Sequence, residues 1–413
     1  MPKVSLTHAA AALSRRLERL GRVSEERGAT TRTFLSPAMR RATALVGAWM
    51  RGAGLATRVD RAGNLIGRTR DRRGARTLLM GSHLDTVRDA GRFDGALGVL
   101  LPIAALEVLR SRGLELPFAV EVLGFSEEEG VRFPSAYLGS KGYAGLLGRA
   151  DLRLRDRDGV SVGELLSAGG RRSPPGPAHP RRELIGYLEV HIEQGPVLGE
   201  LGLATGVVSA IAGQTRARVV FGGRAGHAGT TPMALRRDAL AGAAEFVVAA
   251  EALARRRPPL VATVGRLTAR PGVANVIAGA AELSLDVRHP ADARRLAACR
   301  RLRDLGRRIA RRRGLAFSMD VVQDNATVAC SRGLTALLAR CVRGRQGRSV
   351  ALASGAGHDG VIISRLAPIA MLFVRCRGGI SHHPDEFVAR RDLEAALAVT
   401  VDFLARLASR FPR

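Results

Sequence analysis

The chain has 413 residues, 46% hydrophobic and 25% charged, a length that suggests two or three domains at roughly 150 residues each and a composition that excludes disordered, collagen-like and disulfide-scaffold chains. No apolar run approaches the roughly 20 residues of a membrane-spanning helix, so no membrane partner is expected. The net charge of +28 points by itself to nucleic acid, but all but Lys3 and Lys141 of the 65 basic side chains are arginines spread along the chain, and aromatics are only 4%, so a solvated basic surface with no nucleic-acid partner is the better reading.

The N-terminal MPKVSLTHAAAALSRRLERL breaks its short apolar stretch with Ser14 and arginines. It reads as an amphipathic helix and not as a signal peptide. Helices are predicted over residues 5–22 and 36–53. Thr77 to Met80 then reads as a strand running into Gly81-Ser82-His83-Leu84-Asp85, and Ala119 to Phe125 as a strand running into Ser126-Glu127-Glu128-Glu129-Gly130. A helix over 95–113 separates them. This order predicts an α/β domain with a largely parallel sheet, in which sites collect beyond the carboxyl ends of strands. Residues 169–182, GGRRSPPGPAHPRR, read as an exposed basic loop.

The pattern changes near Gly213. A strand over 214–222, a helix over 234–256, two strand-like runs within 260–288, a helix over 291–313 and a strand over 315–322 fit an inserted α+β, ferredoxin-like domain. Helix–strand alternation resumes over 331–413. The predicted organisation is a discontinuous main domain, 1–212 plus 329–413, and an insert, 213–328. Cys299, Cys330, Cys341 and Cys376 form no Cys-x-x-Cys pair, so reduced thiols in a cytoplasmic protein are expected.

His83 lies two residues before Asp85, and on an extended segment the two point the same way, so Asp85 is placed to accept the second ring N–H of His83. Asp94 sits in a glycine-flanked turn. Glu127-Glu128-Glu129 crowds three anions, which is costly unless a cation compensates. His191 lies within Glu189 to Gly195, and Ser381-His382-His383-Pro384-Asp385-Glu386 follows the strand-like 369–375. Each alone is more often structural. Their coincidence at strand ends of one sheet points to a carboxylate–imidazole metal centre for zinc, manganese or a related ion.

The segments GSHLDTVRDAGRFDGALGVL (81–100), SEEEGVRFPSAYLGS (126–140), EVHIEQGPVLGELG (189–202), GHAGTTPM (226–233), LDVRH (285–289), SGAGHDG (354–360) and LFVRCRGGISHHPDE (372–386) resemble the dinuclear-metal amidohydrolases. That family comprises allantoate amidohydrolases, N-carbamoyl-L-amino-acid hydrolases and β-ureidopropionase-type enzymes, relatives of aminoacylases and carboxypeptidases. The resemblance implies a metallopeptidase-like α/β catalytic domain with a mixed, helix-flanked sheet, and an insert acting as lid and dimerisation domain. It implies two divalent ions per subunit, Mn²⁺ or Zn²⁺, held by His83 and His191 on one side, Glu129 and His382 on the other, with Asp94 bridging. Glu128 matches the general base, Asp85 the partner of the first histidine, and His227 a catalytic donor that reaches the active site of the other subunit in a homodimer. Gln194, Gln214, His227, Asn275, Arg288 and His358 match substrate-binding positions.

The segments around Asp85, at 210–216 and at 372–386 look most like plant-type allantoate amidohydrolases. The implied reaction converts allantoate to ureidoglycine with release of ammonia and carbon dioxide; the alternative is N-carbamoyl-L-amino-acid or β-ureidopropionase-like hydrolysis. Gly360, Gly226 and Ala278 stand where relatives usually carry Ala, Asn and Pro, departures that bear on substrate detail and remove no ligand. Gly355 to Gly360 also satisfies the G-x-G-x-x-G dinucleotide pattern, but Pro368 interrupts the segment that follows.

Overall fold

A computed structural model describes residues 4–70, 75–168 and 183–411. The expected basic loop at 169–182 lies outside the described residues. Among the described residues, no helix is long and apolar enough to cross a membrane. The chain divides into two compact units. One comprises Met1–Ser209, Cys330–Leu352 and Ala356–Arg413, the other Ala210–Ala329 with Ala353–Gly355.

The first unit is built on a mixed sheet. Its centre is parallel: Thr77–His83 lies between Ala119–Phe125 and Leu184–Ile192, and Ile369–Val374 continues the parallel set beyond Leu184–Ile192. All four strands are buried along their length, and they are the near-continuous apolar runs that a sheet covered on both faces requires. Antiparallel strands flank this centre. Leu65–Arg68 pairs with Ala119–Phe125, and Thr205–Ile211 with Ile369–Val374. The sheet is therefore less uniformly parallel than alternation alone suggests. Both pairings join strands far apart in the chain, so local helix–strand alternation does not reveal them.

Helix Ala96–Ser111 packs against the three parallel strands Thr77–His83, Ala119–Phe125 and Leu184–Ile192. It is apolar on almost every side, as a helix enclosed by sheet and other helices must be. Helices Leu6–Gly21 and Arg390–Ala408 cover it, adding Leu13, Leu17, Leu397 and Phe403 to one core. The predicted helix starts follow from their caps. Ser5 accepts the N–H of His8, and Ser36 that of Met39, with Pro37 in the first turn.

In the second unit the strands run Leu267–Arg270, Ala280–His289, Gly213–Gly222 and Ala316–Asn325, with every neighbouring pair antiparallel. Helices Ala239–Arg255 and Asp292–Arg313 pack on one face through Phe246, Leu302 and Ile309. The order fits the ferredoxin-like pattern of strand–helix–strand–strand–helix–strand. The first helix begins at Ala239, later than residue 234, because Asp238 caps it by accepting the N–H groups of Leu240 and Ala241. The segment expected to hold two strands within 260–288 holds four. One of them, Val276–Ile277, leaves the main sheet to pair with Gly226–His227.

Candidate metal centre and active site

The four parallel strands of the first unit deliver the candidate residues at their carboxyl ends. His83 closes Thr77–His83, and His191 is the penultimate residue of Leu184–Ile192. Glu127, Glu128 and Glu129 follow Ala119–Phe125, and His382 follows Ile369–Val374. Asp94 comes from the turn that opens helix Ala96–Ser111. That turn requires glycine: Gly95 has φ +63°, and a Cβ there would stand 2.5 Å from the His83 ring.

Asp94 joins the histidines. One carboxylate oxygen lies 3.0 Å from Nε2 of His191 and 3.6 Å from Nε2 of His83; the other lies 3.2 Å from Nε2 of His382. Nε2 of His382 is also 3.6 Å from Glu129. Among the described residues, three groups have ligand atoms that all lie within 4.8 Å of one another: His83–Asp94–His191, Asp94–Glu129–His382 and His83–Glu128–Glu129. The first two share Asp94.

The rings are oriented for ligation. His83 Nδ1 lies 3.0 Å from the carbonyl oxygen of Asp85, and His191 Nδ1 lies 2.9 Å from that of Ile192. Donating Nδ1–H to a carbonyl leaves Nε2 directed at Asp94, where it shares a proton with that carboxylate and becomes a ligand once a metal displaces the proton. Here the structure differs from the sequence expectation. The closest acceptor for His83 is the backbone oxygen of Asp85, while its carboxylate oxygen is 3.5 Å away. That carboxylate instead accepts the backbone N–H groups of Glu128 at 3.0 and 3.1 Å and Glu129 at 3.2 Å. The turn geometry brings unpaired backbone donors closer than the ring, and burial demands that they be satisfied.

The electrostatics fit a cation-binding cluster. Burial pushes the Glu128 carboxyl well above the usual range, and the charges of Glu129, Asp359 and Asp85 add to the rise. Glu129 is pushed up to about 7, by burial and then by Asp94. Asp94 is itself buried, but hydrogen bonds from His191, His382 and His83 hold it well below the carboxylate range. His382 is raised to about 9, chiefly by its hydrogen bond to Asp94. Protons thus stand in the cluster where divalent ions would neutralise the crowded carboxylates. With imidazole and carboxylate donors and no thiolate, this set fits zinc or manganese.

Gln194 also belongs to this cluster. It adopts φ +57°, and its amide donates to Asp94 at 3.0 Å and Ser381 at 3.2 Å. His358 is buried, edge-to-face with His191 at a ring separation of 4.5 Å. Burial and the His191 charge hold it well below the ordinary histidine range, so it is neutral. The remaining candidates lie in the second unit as two neighbouring pairs. His227 faces Val276 across the short ribbon, next to Asn275, and both are exposed. Arg288 faces Gln214 across the main sheet.

Glu386 was not assigned a role by sequence, although it closes the quoted SHHPDE segment. It accepts the N–H groups of Phe93 at 2.7 Å and Asp94 at 3.1 Å, and so fixes the Asp94 turn. A Cβ at Gly91 would meet its carboxyl at 2.3 Å. Its position shortly after a candidate histidine ligand was a signal, but the partner lies nearly three hundred residues upstream.

The description Peptidase family M20/M25/M40 matches residues 79–409. The chain is 40% identical to allantoate deiminase 2 of Glycine max, over 95% of this chain and 88% of that protein. It is 37% identical to an N-carbamoyl-L-amino-acid amidohydrolase of Pseudomonas sp. (strain NS671), over 91% of this chain and 93% of that protein. A crystal structure of a hydantoinase/carbamoylase-family amidase from Burkholderia multivorans superposes with a TM-score of 0.90, at 33% identity, covering 96% of this chain and 97% of that one. The chain belongs to peptidase family M20/M25/M40. Within it, the chain groups with the allantoate deiminases and N-carbamoyl-L-amino-acid amidohydrolases.

Proposed function

We propose that this protein is a metal-dependent amidohydrolase that cleaves a ureido C–N bond of allantoate. Water is added, ammonia and carbon dioxide leave, and ureidoglycine remains. The observation that carries the reading is the pair of donor groups joined through Asp94 with Glu128 beside them, in a chain 40% identical to an allantoate deiminase over nearly its whole length.

His83 and His191 would hold one divalent ion, Glu129 and His382 a second, and Asp94 both. Such ions supply Lewis acidity toward a carbonyl and toward water. Glu128 accepts the proton of the attacking water and returns it to the leaving nitrogen. Its burial favours proton uptake, and Asp85 fixes its backbone. Gln194 and His358 line the centre as polar contacts for substrate. His227 is proposed to donate to the developing oxyanion, Arg288 to hold the substrate carboxylate, and Asn275 and Gln214 to bond ureido groups.

Mn²⁺ is the preferred ion and Zn²⁺ the second. A homodimer is proposed through the second unit, supported by its exposed Met233, Leu235 and Val248; sedimentation at working concentration tests it. A cytoplasmic location is supported by four buried, unpaired cysteines. N-carbamoyl-L-amino-acid hydrolysis is the second reading, favoured by the 37% identical Pseudomonas relative. Ammonia release from allantoate, N-carbamoyl-L-amino acids and β-ureidopropionate, with Mn²⁺, Zn²⁺ and chelator, tests both. Allantoate is expected to be turned over fastest; preference for a carbamoyl amino acid would transfer the assignment.

A further inference from the structure

The helix-free face of the second unit's sheet carries a polar cluster centred on Asp286, a residue to which the sequence assigned nothing. Gln214 and Arg216 lie two apart on Gly213–Gly222, and Asp286 and Arg288 two apart on Ala280–His289, so all four side chains share one face. The ladder sets Asp286 opposite Arg216 and Arg288 opposite Gln214. Asp286 accepts four hydrogen bonds. They come from Gln214 at 2.7 Å, Arg216 Nε at 3.0 Å, and Arg288 through Nε at 2.9 Å and Nη2 at 3.0 Å.

A guanidinium has five N–H donors in a rigid plane. Asp286 takes two from Arg288, and the carbonyl of Gly355 takes one from Nη1. One N–H remains on each Nη nitrogen, which is what a two-oxygen ligand needs. The charge count agrees. Burial raises the Asp286 carboxyl, but the hydrogen bonds and charges of Arg288 and Arg216 more than offset it and hold Asp286 ionised. Two cations on one anion leave a single net positive charge, sufficient for one carboxylate.

We propose that Asp286 is a positioning residue for the substrate carboxylate: with Gly355 it clamps the Arg288 guanidinium so that one N–H of each Nη nitrogen is presented to the ligand. The proposal rests on the reading of Arg288 as the carboxylate holder. If Asp286 only set the local charge, Asp286→Asn would leave the arginines more positive and tighten carboxylate binding. If it positions Arg288, the same change loosens the guanidinium and weakens binding.

The experiment uses the full chain, loaded with Mn²⁺, and compares Asp286→Asn, Asp286→Glu, Arg288→Lys and the Asp286→Asn/Arg288→Lys double variant. Kinetics are read on allantoate and on its neutral carboxamide analogue. Asp286→Asn is expected to raise KM for allantoate on the order of tenfold with kcat nearly unchanged, metal content intact, and KM for the carboxamide raised far less, only through the Gln214 that Asp286 also holds. Asp286→Glu, which keeps the charge and displaces it by one methylene, is expected to fall between wild type and Asn, and it serves as the reporter if the Asn variant fails to fold. The double variant is expected to match Arg288→Lys alone, because the clamp has no further effect once its arginine is gone. An unchanged or lowered KM for allantoate in Asp286→Asn, with Arg288→Lys impaired, overturns the positioning role. An unchanged KM in Arg288→Lys overturns it through the underlying reading of Arg288, so the two failures are distinguishable.

Discussion

Asp85 receives the backbone N–H of Glu128 on both of its carboxylate oxygens, at 3.0 and 3.1 Å. The loop that follows the first candidate histidine is thereby fastened to the turn that carries the candidate base. Because this link runs through the Glu128 backbone, changing the Glu128 side chain leaves it in place. Glu128→Gln is therefore expected to keep metal and fold while losing turnover by about 10²–10⁴ or more. Metal analysis and single-turnover ammonia release on one preparation check this, and near-normal turnover with full metal would remove Glu128 from the mechanism.

Asp94 presents one oxygen to His83 and His191 and the other to His382. A residue shared in this way should matter to both ions. Asp94→Ala is expected to bind neither ion tightly, whereas His382→Ala should retain the ion of the His83 and His191 side. Titration calorimetry with Mn²⁺ distinguishes the two; equal losses from both variants would argue against a shared carboxylate.

Burial and hydrogen bonding favour protonation of the cluster's candidate ligands before a metal binds. His382 is raised to about 9 by its hydrogen bond to Asp94, and Glu129 to about 7 by burial. Both must lose a proton to ligate, so metal binding at pH 7 should release protons, and apparent affinity should rise as pH increases from 7 toward 9. Calorimetry in two buffers of different ionisation enthalpy measures the release. Buffer-independent heats at pH 7 would contradict it.

The sheet centre was legible because its strands are short apolar runs ending in polar, glycine-containing turns, and His83, Glu129 and His191 all lie in or beside such ends. Other features depend on contacts across long separations. Glu386 meets Phe93 and Asp94 only in the folded chain. Asp286 became visible only when the ladder placed it opposite Arg216. The ribbon of Gly226–His227 with Val276–Ile277 was missed because two-residue strands carry no periodicity. Arg32 was missed too, because one arginine among so many gives no signal of burial.

Arg32 is fully enclosed, and its guanidinium donates to the carbonyl oxygens of Leu84 at 2.8 Å, Val23 at 3.2 Å and Leu20 at 3.3 Å. Burial lowers it to about 10, against the opposing pull of Asp85, and it stays charged. Arg32→Met would fill similar space and strand these acceptors beside an uncompensated Asp85. The expected loss is about 3–5 kcal/mol, read from the shift of the urea midpoint; a loss within experimental error would show that the arginine is a spectator.

Stepwise reconstitution of the chelated protein with Mn²⁺, followed by ammonia release from allantoate, tests the central claim most directly. No activity is expected without metal, and full activity only when both ions are held by the groups that share Asp94. Full ammonia release from the metal-free protein, or none from allantoate at any metal loading, would contradict it.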